Sequence, residues 1–337
     1  SQSELSGGHG SRGGAIFATG AELVDIQDCL FRNNTATVGG ALFSSSSAEL
    51  RISHSTIFDK NSAASQTNDI HVESNSKLTI DEGVYFRGSS SNGRVYVSGT
   101  QQVTLRNTIF DPKFTSVLSF GNDEEGESPD PFLTQYFSEA PIDENIILNL
   151  PEVMEDPTWK QKLEFNTRSS VQIIDCEVII LSNTVFRNQV SLSDAGAISL
   201  VWSASFGQSK RENSSVSIEN CYFLDNTSVA SSGAVRIDQA AQVSITESHF
   251  LRNVSLEDRG GALSFLCSNP EMNSCLLKFS DTSSKNRFVN NLSKLAGGAI
   301  FWSRQQPVVT SESVFFSKND SDYGADIAAI PHALVFV

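Results

Sequence analysis

The sequence has no run of about eighteen consecutive apolar residues, the length that a membrane-spanning helix needs. It also has no stretch in which apolar residues recur every three to four positions, which argues against a helical fold. Basic residues are few: 24 Lys and Arg stand against 39 Asp and Glu, for a formal net charge of −15. Such a chain repels polyanions, so we expect neither nucleic acid nor an anionic membrane as a partner.

Most of the negative charge lies in one segment. Between Lys113 and Lys160 there are eleven acidic residues and no Lys or Arg. An acidic cluster such as residues 123–130 is a candidate for Ca²⁺, but the alternating ligand pattern of a calcium loop is missing. We favour a solvated insertion loop, and we predict no metal site and no cofactor.

What the sequence does contain is a repeat with two alternating signatures. The first is Gly-Gly-Ala followed by an aliphatic residue. The full copies are Gly13-Gly14-Ala15-Ile16, Gly39-Gly40-Ala41-Leu42, Gly260-Gly261-Ala262-Leu263 and Gly297-Gly298-Ala299-Ile300, and the shortened copies are Gly196-Ala197-Ile198, Gly233-Ala234-Val235 and Gly324-Ala325. The second is a short alternating strand that ends in Phe, with Asn three residues later, as in Val24-Asp25-Ile26 with Phe31 and Asn34.

The phenylalanines give the period of the repeat. They stand at Phe31, Phe58, Phe86, Phe110, Phe186, Phe223, Phe250, Phe288 and Phe316, and most gaps are 24 to 28 residues. A fixed period of this size indicates units that bury their apolar faces against one another. Because the units contain short alternating strands and turn residues, we predict an all-β, right-handed, single-stranded parallel β-helix of about nine rungs with loop insertions.

Each column of equivalent residues then has a predicted role. In a parallel stack, neighbours in a column lie about 4.8 Å apart, so each residue type must tolerate contact with itself. We expect Phe to stack inside the coil, and paired Gly to form a tight turn with Ala in a narrow corner. The amides should form a hydrogen-bonded ladder, whose members are Asn34, Asn61, Asn226, Asn253, Asn291 and Asn319.

The residue after each Phe provides a second test of the register. In the first five rungs it is Arg32, Asp59, Arg87, Asp111 and Arg187, which alternate in sign. Stacked in register, each charge would lie between two opposite charges. Exposed ion pairs contribute only about 0.2–1 kcal/mol each, so this column bears more on register than on stability.

The two signatures together resemble the passenger repeats of the polymorphic outer membrane proteins, best known from chlamydiae. The resemblance covers about 240 residues and departs from the pattern at the third and fourth rungs, where Asn68-Asp69-Ile70 and Arg94-Val95 replace the glycines. It implies a right-handed β-helix that is displayed on a cell surface and used for adhesion. We expect a non-enzymatic extracellular or cell-surface scaffold with a structural or adhesive role, as part of a longer chain or of a filament. Two alternatives stay open: a carbohydrate-binding or carbohydrate-cleaving β-helix, and the passenger of an autotransporter adhesin.

Insertions interrupt the single β-helix domain, which we take as residues 1–337. Residues 203–215, 267–275 and the shorter 303–307 all follow a Gly-Gly-Ala strand, so they should emerge from one edge of the coil, where insertions often mark a binding face. The longest insertion, residues 114–170, should pack on the side of the coil. Its candidate contact residues are Phe132, Tyr136, Phe137 and Trp159, although these side chains would also serve simply to hold the insertion in place.

The five cysteines cannot all pair within the chain. Cys267 and Cys275 flank Asn269-Pro270, a turn sequence, and we predict that they form a disulfide. Cys29 and Cys221 lie two residues before their Phe, in an interior column, and we predict buried thiols there.

Six Asn-x-Ser/Thr sequons are glycosylation candidates, about as many as chance would give. They begin at Asn33, Asn213, Asn226, Asn253, Asn291 and Asn319. Four of these belong to the Asn column, where an inward amide cannot carry a glycan. Asn213, in a polar insertion, is the safest candidate.

Catalytic patterns are weak throughout the sequence. Its histidines show no pair at metal-ligand spacing, the strand acids are scattered, and no nucleophile elbow is present. We therefore predict that the chain is not an enzyme. Partners are expected to be other proteins or copies of the chain, bound through the insertion loops and the sheet ends, including apolar residues 334–337, with surface glycans as further candidates.

Overall fold

The computed structural model describes residues 3–88, 92–113, 133, 136–138, 140–142, 168–193, 195–267, 275–280 and 285–331. These residues form a parallel β-helix, in which strands from successive rungs pair in parallel to build long sheets along the coil. The predicted all-β solenoid is confirmed. No helix among the described residues is long and apolar enough to cross a membrane.

One side of the coil is the Phe sheet, which contains the phenylalanine column. Its ten strands are Ser3–Ser6, Cys29–Arg32, Ile57–Asp59, Val84–Arg87, Thr108–Phe110, Val185–Arg187, Tyr222–Leu224, His249–Leu251, Asn286–Val289 and Val314–Ser317. This is one strand more than the phenylalanines predicted. In the first strand Leu5 pairs with Phe31, and Leu in place of Phe hid that rung.

Two further long sheets complete the coil. The Gly-Gly-Ala sheet consists of Ile16–Thr19, Leu42–Ser45, Ile70–Glu73, Val95–Ser98, Val171–Ile174, Ile198–Val201, Val235–Asp238, Leu263–Leu266, Ile300–Arg304 and Ile327–Pro331. The alternating sheet consists of Leu23–Gln27, Glu49–Ser53, Lys77–Ile80, Gln102–Arg106, Val178–Ser182, Ser215–Glu219, Gln242–Thr246 and Leu276–Phe279.

Short linking strands join the Phe sheet to the Gly-Gly-Ala sheet within a rung. They form a three-stranded sheet of His9–Arg12, Thr35–Val38 and Ser62–Ala63, and a four-stranded sheet of Val190–Ser191, Thr227–Ser228, Val254–Ser255 and Leu292–Ser293. Two short helical elements have bounds within the described residues: the 3₁₀ turn Ala204–Phe206 and the single helical turn Gln208–Glu212. Both lie in the insertion at residues 203–215.

The strands form where apolar and polar residues alternate, because successive side chains point to opposite faces of a strand. In Glu49–Ser53, Leu50 and Ile52 are buried in the coil while Arg51 faces solvent. The same alternation recurs in each strand of the alternating sheet. The result is one continuous apolar core along the whole coil.

The glycine pairs have two different functions in the turn before the Gly-Gly-Ala sheet. Gly39 has a φ of 62°, a left-handed conformation that glycine adopts without steric cost. A Cβ on Gly40 would collide with the backbone carbonyl oxygen of Asn68 in the next rung. Ala41 then fits fully buried in the corner.

Candidate functional site

The inner surface of the Phe sheet is a stack of aromatic rings. From Phe31 to Phe288 the centroids of neighbouring rings lie 4.4–5.2 Å apart, with interplanar angles of at most 10°. Phe316 ends the stack with a tilted ring 5.5 Å from Phe288. These rings fill the interior, so the column stabilises the coil and does not face a ligand.

The Asn column forms the ladder that the spacing indicated. In Asn253, Nδ2 donates to Oδ1 of Asn291 at 2.9 Å and to the carbonyl oxygen of Phe223 at 2.9 Å. Its Oδ1 accepts hydrogen bonds from both the backbone N and the Nδ2 of Asn226. Each buried amide therefore connects three consecutive rungs, which removes the cost of burying unpaired polar groups.

The ladder is in two parts, and each part ends at an aspartate. Nδ2 of Asn61 donates to Oδ1 of Asp69 at 2.9 Å, and Nδ2 of Asn319 donates to Oδ1 of Asp326 at 2.9 Å. Both aspartates occupy the column that is Ala in the repeat, one residue before the Gly-Gly-Ala strand. The second part begins at Gln189, whose backbone N donates to Oδ1 of Asn226 at 3.1 Å.

The departures from the repeat at the third and fourth rungs form a buried ion pair. Nη1 of Arg94 donates to Oδ2 of Asp69 at 3.0 Å, and the two side chains are 2% and 1% exposed. Burial raises the pKa of Asp69, and Arg94 and Asn61 oppose that effect. The Arg94 guanidinium also donates to the backbone carbonyl oxygens of Arg87 and Gly88 in its own rung, so the pair joins two consecutive rungs.

The predicted column of alternating charges has ion pairs within 4 Å over the first three of its five rungs, and the charge of Asp111 also acts on Arg187 in the last. Asp59 Oδ2 lies 3.2 Å from Nε of Arg32 and 3.8 Å from Nε of Arg87. In the later rungs the pairing moves along the chain by one residue: Nε of Arg187 lies 3.6 Å from Oδ2 of Asp225, which is two residues after its Phe. These Arg and Asp side chains form ion pairs across rungs and make up a structural network.

Cys267 and Cys275 are joined by a disulfide that closes the insertion between the Gly-Gly-Ala sheet and the alternating sheet. The insertion at residues 203–215 leaves the coil at the same edge, since it also lies between strands of those two sheets. Residues 268–274 lie outside the described part of the chain.

Three cysteines are free thiols. Cys221 and Cys176 are buried, and burial raises the pKa of each to about 12. Cys29 is half-buried, so the predicted buried thiol is confirmed at Cys221 but not at Cys29; burial also raises the pKa of Cys29. A raised pKa lowers the fraction of thiolate, which is the form that attacks electrophiles and binds metal ions.

The structure corrects four of the glycosylation candidates. Asn226, Asn253 and Asn291 are fully buried, Asn319 is 8% exposed, and both Nδ2 hydrogens of each are used in the ladder. A glycan on these nitrogens would replace hydrogen bonds of the core. Asn33 and Asn213 are exposed and remain compatible with a glycan.

The long insertion has four candidate contact residues. The prediction that Tyr136 contacts a partner is wrong. Its side chain is fully buried against the outer face of the Phe sheet, and its hydroxyl donates to Oδ2 of Asp111 at 3.0 Å. Phe137 is half-buried and packs on Tyr222 with centroids 4.7 Å apart. Both hold the insertion on the coil. Phe132, Trp159 and the acidic residues 123–130 lie outside the described residues.

Within the described residues no group of three or more His, Cys, Asp or Glu side chains is arranged to hold a metal ion. Asp59 and Asp69 interact through their charges, an arrangement that could suit acid–base chemistry. Their oxygens, however, accept hydrogen bonds from Arg32, Asn61 and Arg94. This pair of carboxylates is part of the core network.

The residues that immediately precede each Phe form a row, here called the outer row, which the sequence analysis did not predict. It lies on the outer face of the Phe sheet. In the early and middle rungs the row is apolar and buried, as at Ile57, Tyr85, Ile109 and Val185. In the last four rungs it becomes Tyr222, His249, Arg287 and Phe315. The row could have been found from its fixed position before each Phe, but its residue types vary too much to show a repeat.

Residues 28–45 match the Chlamydia polymorphic membrane protein (Chlamydia_PMP) repeat. This segment begins just before the strand of Phe31 and continues through Gly39-Gly40-Ala41 into the next strand, so it contains both signatures of the repeat. The resemblance found in the sequence is thereby confirmed for this rung. Neither curated proteins nor solved structures give a match.

Proposed function

We propose that the chain is a non-enzymatic β-helical scaffold at a cell surface, with a structural or adhesive role. The observation that supports this most directly is the match of residues 28–45 to the polymorphic membrane protein repeat, a repeat of surface-associated proteins. The Phe stack and the Asn ladders support it physically. In the described residues they fill the interior of the coil, so binding would take place on outer faces and insertions.

Surface display is tested on intact cells that produce the protein. Antibodies raised against the purified chain should stain unpermeabilised cells, and external protease should remove the staining. Staining that requires permeabilisation would refute the proposed location.

Adhesion is tested with beads coated with the purified chain. Coated beads should attach to cells or to extracellular matrix more than beads coated with albumin, and soluble chain should compete. Equal attachment of both kinds of bead would refute an adhesive role and leave only the structural one.

The main alternative is a β-helix that cleaves carbohydrate, because parallel β-helices also support acid–base chemistry on polysaccharides. Incubation with a panel of acidic and neutral polysaccharides, followed by measurement of new reducing ends, separates the two functions. Release of product by the folded chain would favour the enzyme. The other alternative, an autotransporter passenger, predicts a membrane barrel encoded in the same gene.

A further inference from the structure

The C-terminal part of the outer row lines an open cleft of about 430 Å³. The basic cleft, as we call it, is lined by His249, Lys285, Arg287 and Phe315. Three of these four side chains are basic, in a chain whose formal net charge is −15. The cleft can therefore attract a negatively charged ligand, although the protein as a whole is negatively charged.

The sheet holds these groups in register. Arg287 pairs with His249 on one side and with Phe315 on the other, so the three lie in a row along the coil axis. Lys285, two residues before Arg287, is fixed by a hydrogen bond of 2.7 Å from its Nζ to the carbonyl oxygen of Ser311. Strand pairing thus fixes the backbone positions from which the side chains of His249, Arg287 and Phe315 reach the cleft.

The cleft also offers an apolar surface beside the charges. The Phe315 ring is 43% exposed, and the guanidinium carbon of Arg287 lies 5.8 Å from its centroid. At the other end of the row, the rings of Tyr222 and His249 stack with centroids 4.6 Å apart. The charges of Arg287 and Glu247 both act on Tyr222, so an acidic residue also lies near this end of the row.

We propose that the basic cleft binds an anionic saccharide, whose carboxylates or sulfates pair with Arg287 and Lys285 while a sugar ring packs on Phe315. This inference rests on the proposed adhesive function and names the class of ligand. Successive groups of the row are about 4.8 Å apart, close to the length of one sugar unit in an extended polysaccharide. In an extended peptide successive side chains point to opposite faces, so acidic side chains on one face are about 6.6 Å apart and match this spacing less well.

Binding is measured by calorimetry with the purified chain and four probes: a heparin hexasaccharide, a hyaluronan hexasaccharide, neutral maltohexaose and hexaglutamate. The anionic saccharides should bind, and maltohexaose should bind at least about tenfold more weakly. Raising the salt concentration should weaken the binding because the charged groups are exposed. Absence of binding by both anionic saccharides, or equal binding of maltohexaose, would overturn the proposal.

Variants locate the site. Arg287→Gln and Lys285→Gln should each weaken binding of the anionic hexasaccharides by about tenfold, because each removes one charge-assisted contact. Phe315→Ala should weaken saccharide binding but not any binding of hexaglutamate. The matched control is Arg51→Gln, an exposed Arg on the alternating sheet, which should leave binding unchanged. Hexaglutamate that binds as tightly as the saccharides, with the same losses in the variants, would identify an acidic peptide as the ligand instead.

The bead assay separates this inference from the proposed function. If beads coated with the Arg287→Gln, Lys285→Gln double variant attach to cells as well as wild-type beads, adhesion stands and the basic cleft is not its site. If no beads attach but the hexasaccharides bind with the expected variant losses, the site stands and the adhesive role fails.

Discussion

Nδ2 of Asn319 donates a hydrogen bond of 2.9 Å to Oδ1 of Asp326, and Asn61 makes the same bond to Asp69. A carboxylate accepts hydrogen bonds and has no N–H group to donate, so it can end an amide ladder without leaving a buried donor unpaired. Both aspartates come from the column that otherwise holds Ala. The repeat thus uses one position for two purposes: Ala where the ladder continues, and Asp where it stops.

The interior of the ladder should be essential for stability. Asn253→Ala removes four hydrogen bonds and leaves the backbone N and Nδ2 of Asn226 without this acceptor and the carbonyl oxygen of Phe223 without this donor. Oδ1 of Asn291 keeps its hydrogen bond from the backbone N of residue 253. We expect the free energy of unfolding to fall by about 2–4 kcal/mol, measured by urea denaturation. Asn213→Ala, at an exposed position, is the control and should change it by less than about 0.5 kcal/mol. Similar losses in both variants would contradict the ladder.

The ion pair of Asp69 and Arg94 is tested by a double-mutant cycle. Either Asp69→Ala or Arg94→Ala leaves a charge buried without its partner, and each should reduce the free energy of unfolding by about 3–5 kcal/mol. The double variant restores the Ala of the repeat at both positions, so it should lose much less than the sum of the two. Its remaining loss reports the hydrogen bonds that are still missing, from Asn61 to Asp69 and from Arg94 to the carbonyl oxygens of Arg87 and Gly88. Strict additivity of the single losses would contradict direct coupling.

Much of this architecture could be predicted because like residues stack on like residues. Phe31, Phe58 and Phe223 mark equivalent positions in the sequence, and the structure places them in one column. Asp69 and Asp326 could not be recognised as ladder ends, because each is seven or eight residues from its Asn and meets it only when the turn closes.

The outer row escaped prediction for a different reason. Its side chains face solvent or an insertion, so neighbouring rungs need not repeat the same residue. Arg287 and Phe315 therefore show no sequence pattern, although strand pairing places them side by side.

Lowering the pH should reduce the free energy of unfolding of the coil, because the buried side chain of His71 becomes protonated. This imidazole is stacked between Phe43 and Tyr96 on the Gly-Gly-Ala sheet, and its Nε2 is 2.8 Å from Oε1 of Glu73. Burial lowers the pKa of His71 below the ordinary value of 6.5, Glu73 opposes that shift, and the charge of Arg12 adds to it. Just below pH 6.5 the unfolded chain therefore binds more protons than the folded chain.

It follows that the free energy of unfolding falls as the pH is lowered from about 6.5 towards the folded-state pKa of His71. His71→Phe, which extends the ring stack from Phe43 without a titrating group, should remove this part of the pH dependence. Urea denaturation at several pH values between about 5 and 7.5 measures both slopes. Equal slopes for the variant and the wild type would rule out His71 as the source.

The three free thiols should differ in reactivity according to burial. Alkylation requires the thiolate, and the raised pKa values of about 12 at Cys221 and Cys176 keep both thiols protonated as well as covered. In native protein at pH 8 we expect iodoacetamide to modify only half-buried Cys29, and slowly. In urea all three free cysteines should react, whereas Cys267 and Cys275 should need a reductant first. Peptide mapping by mass spectrometry measures each site, and rapid native labelling of Cys221 would show that its column in the core opens to solvent.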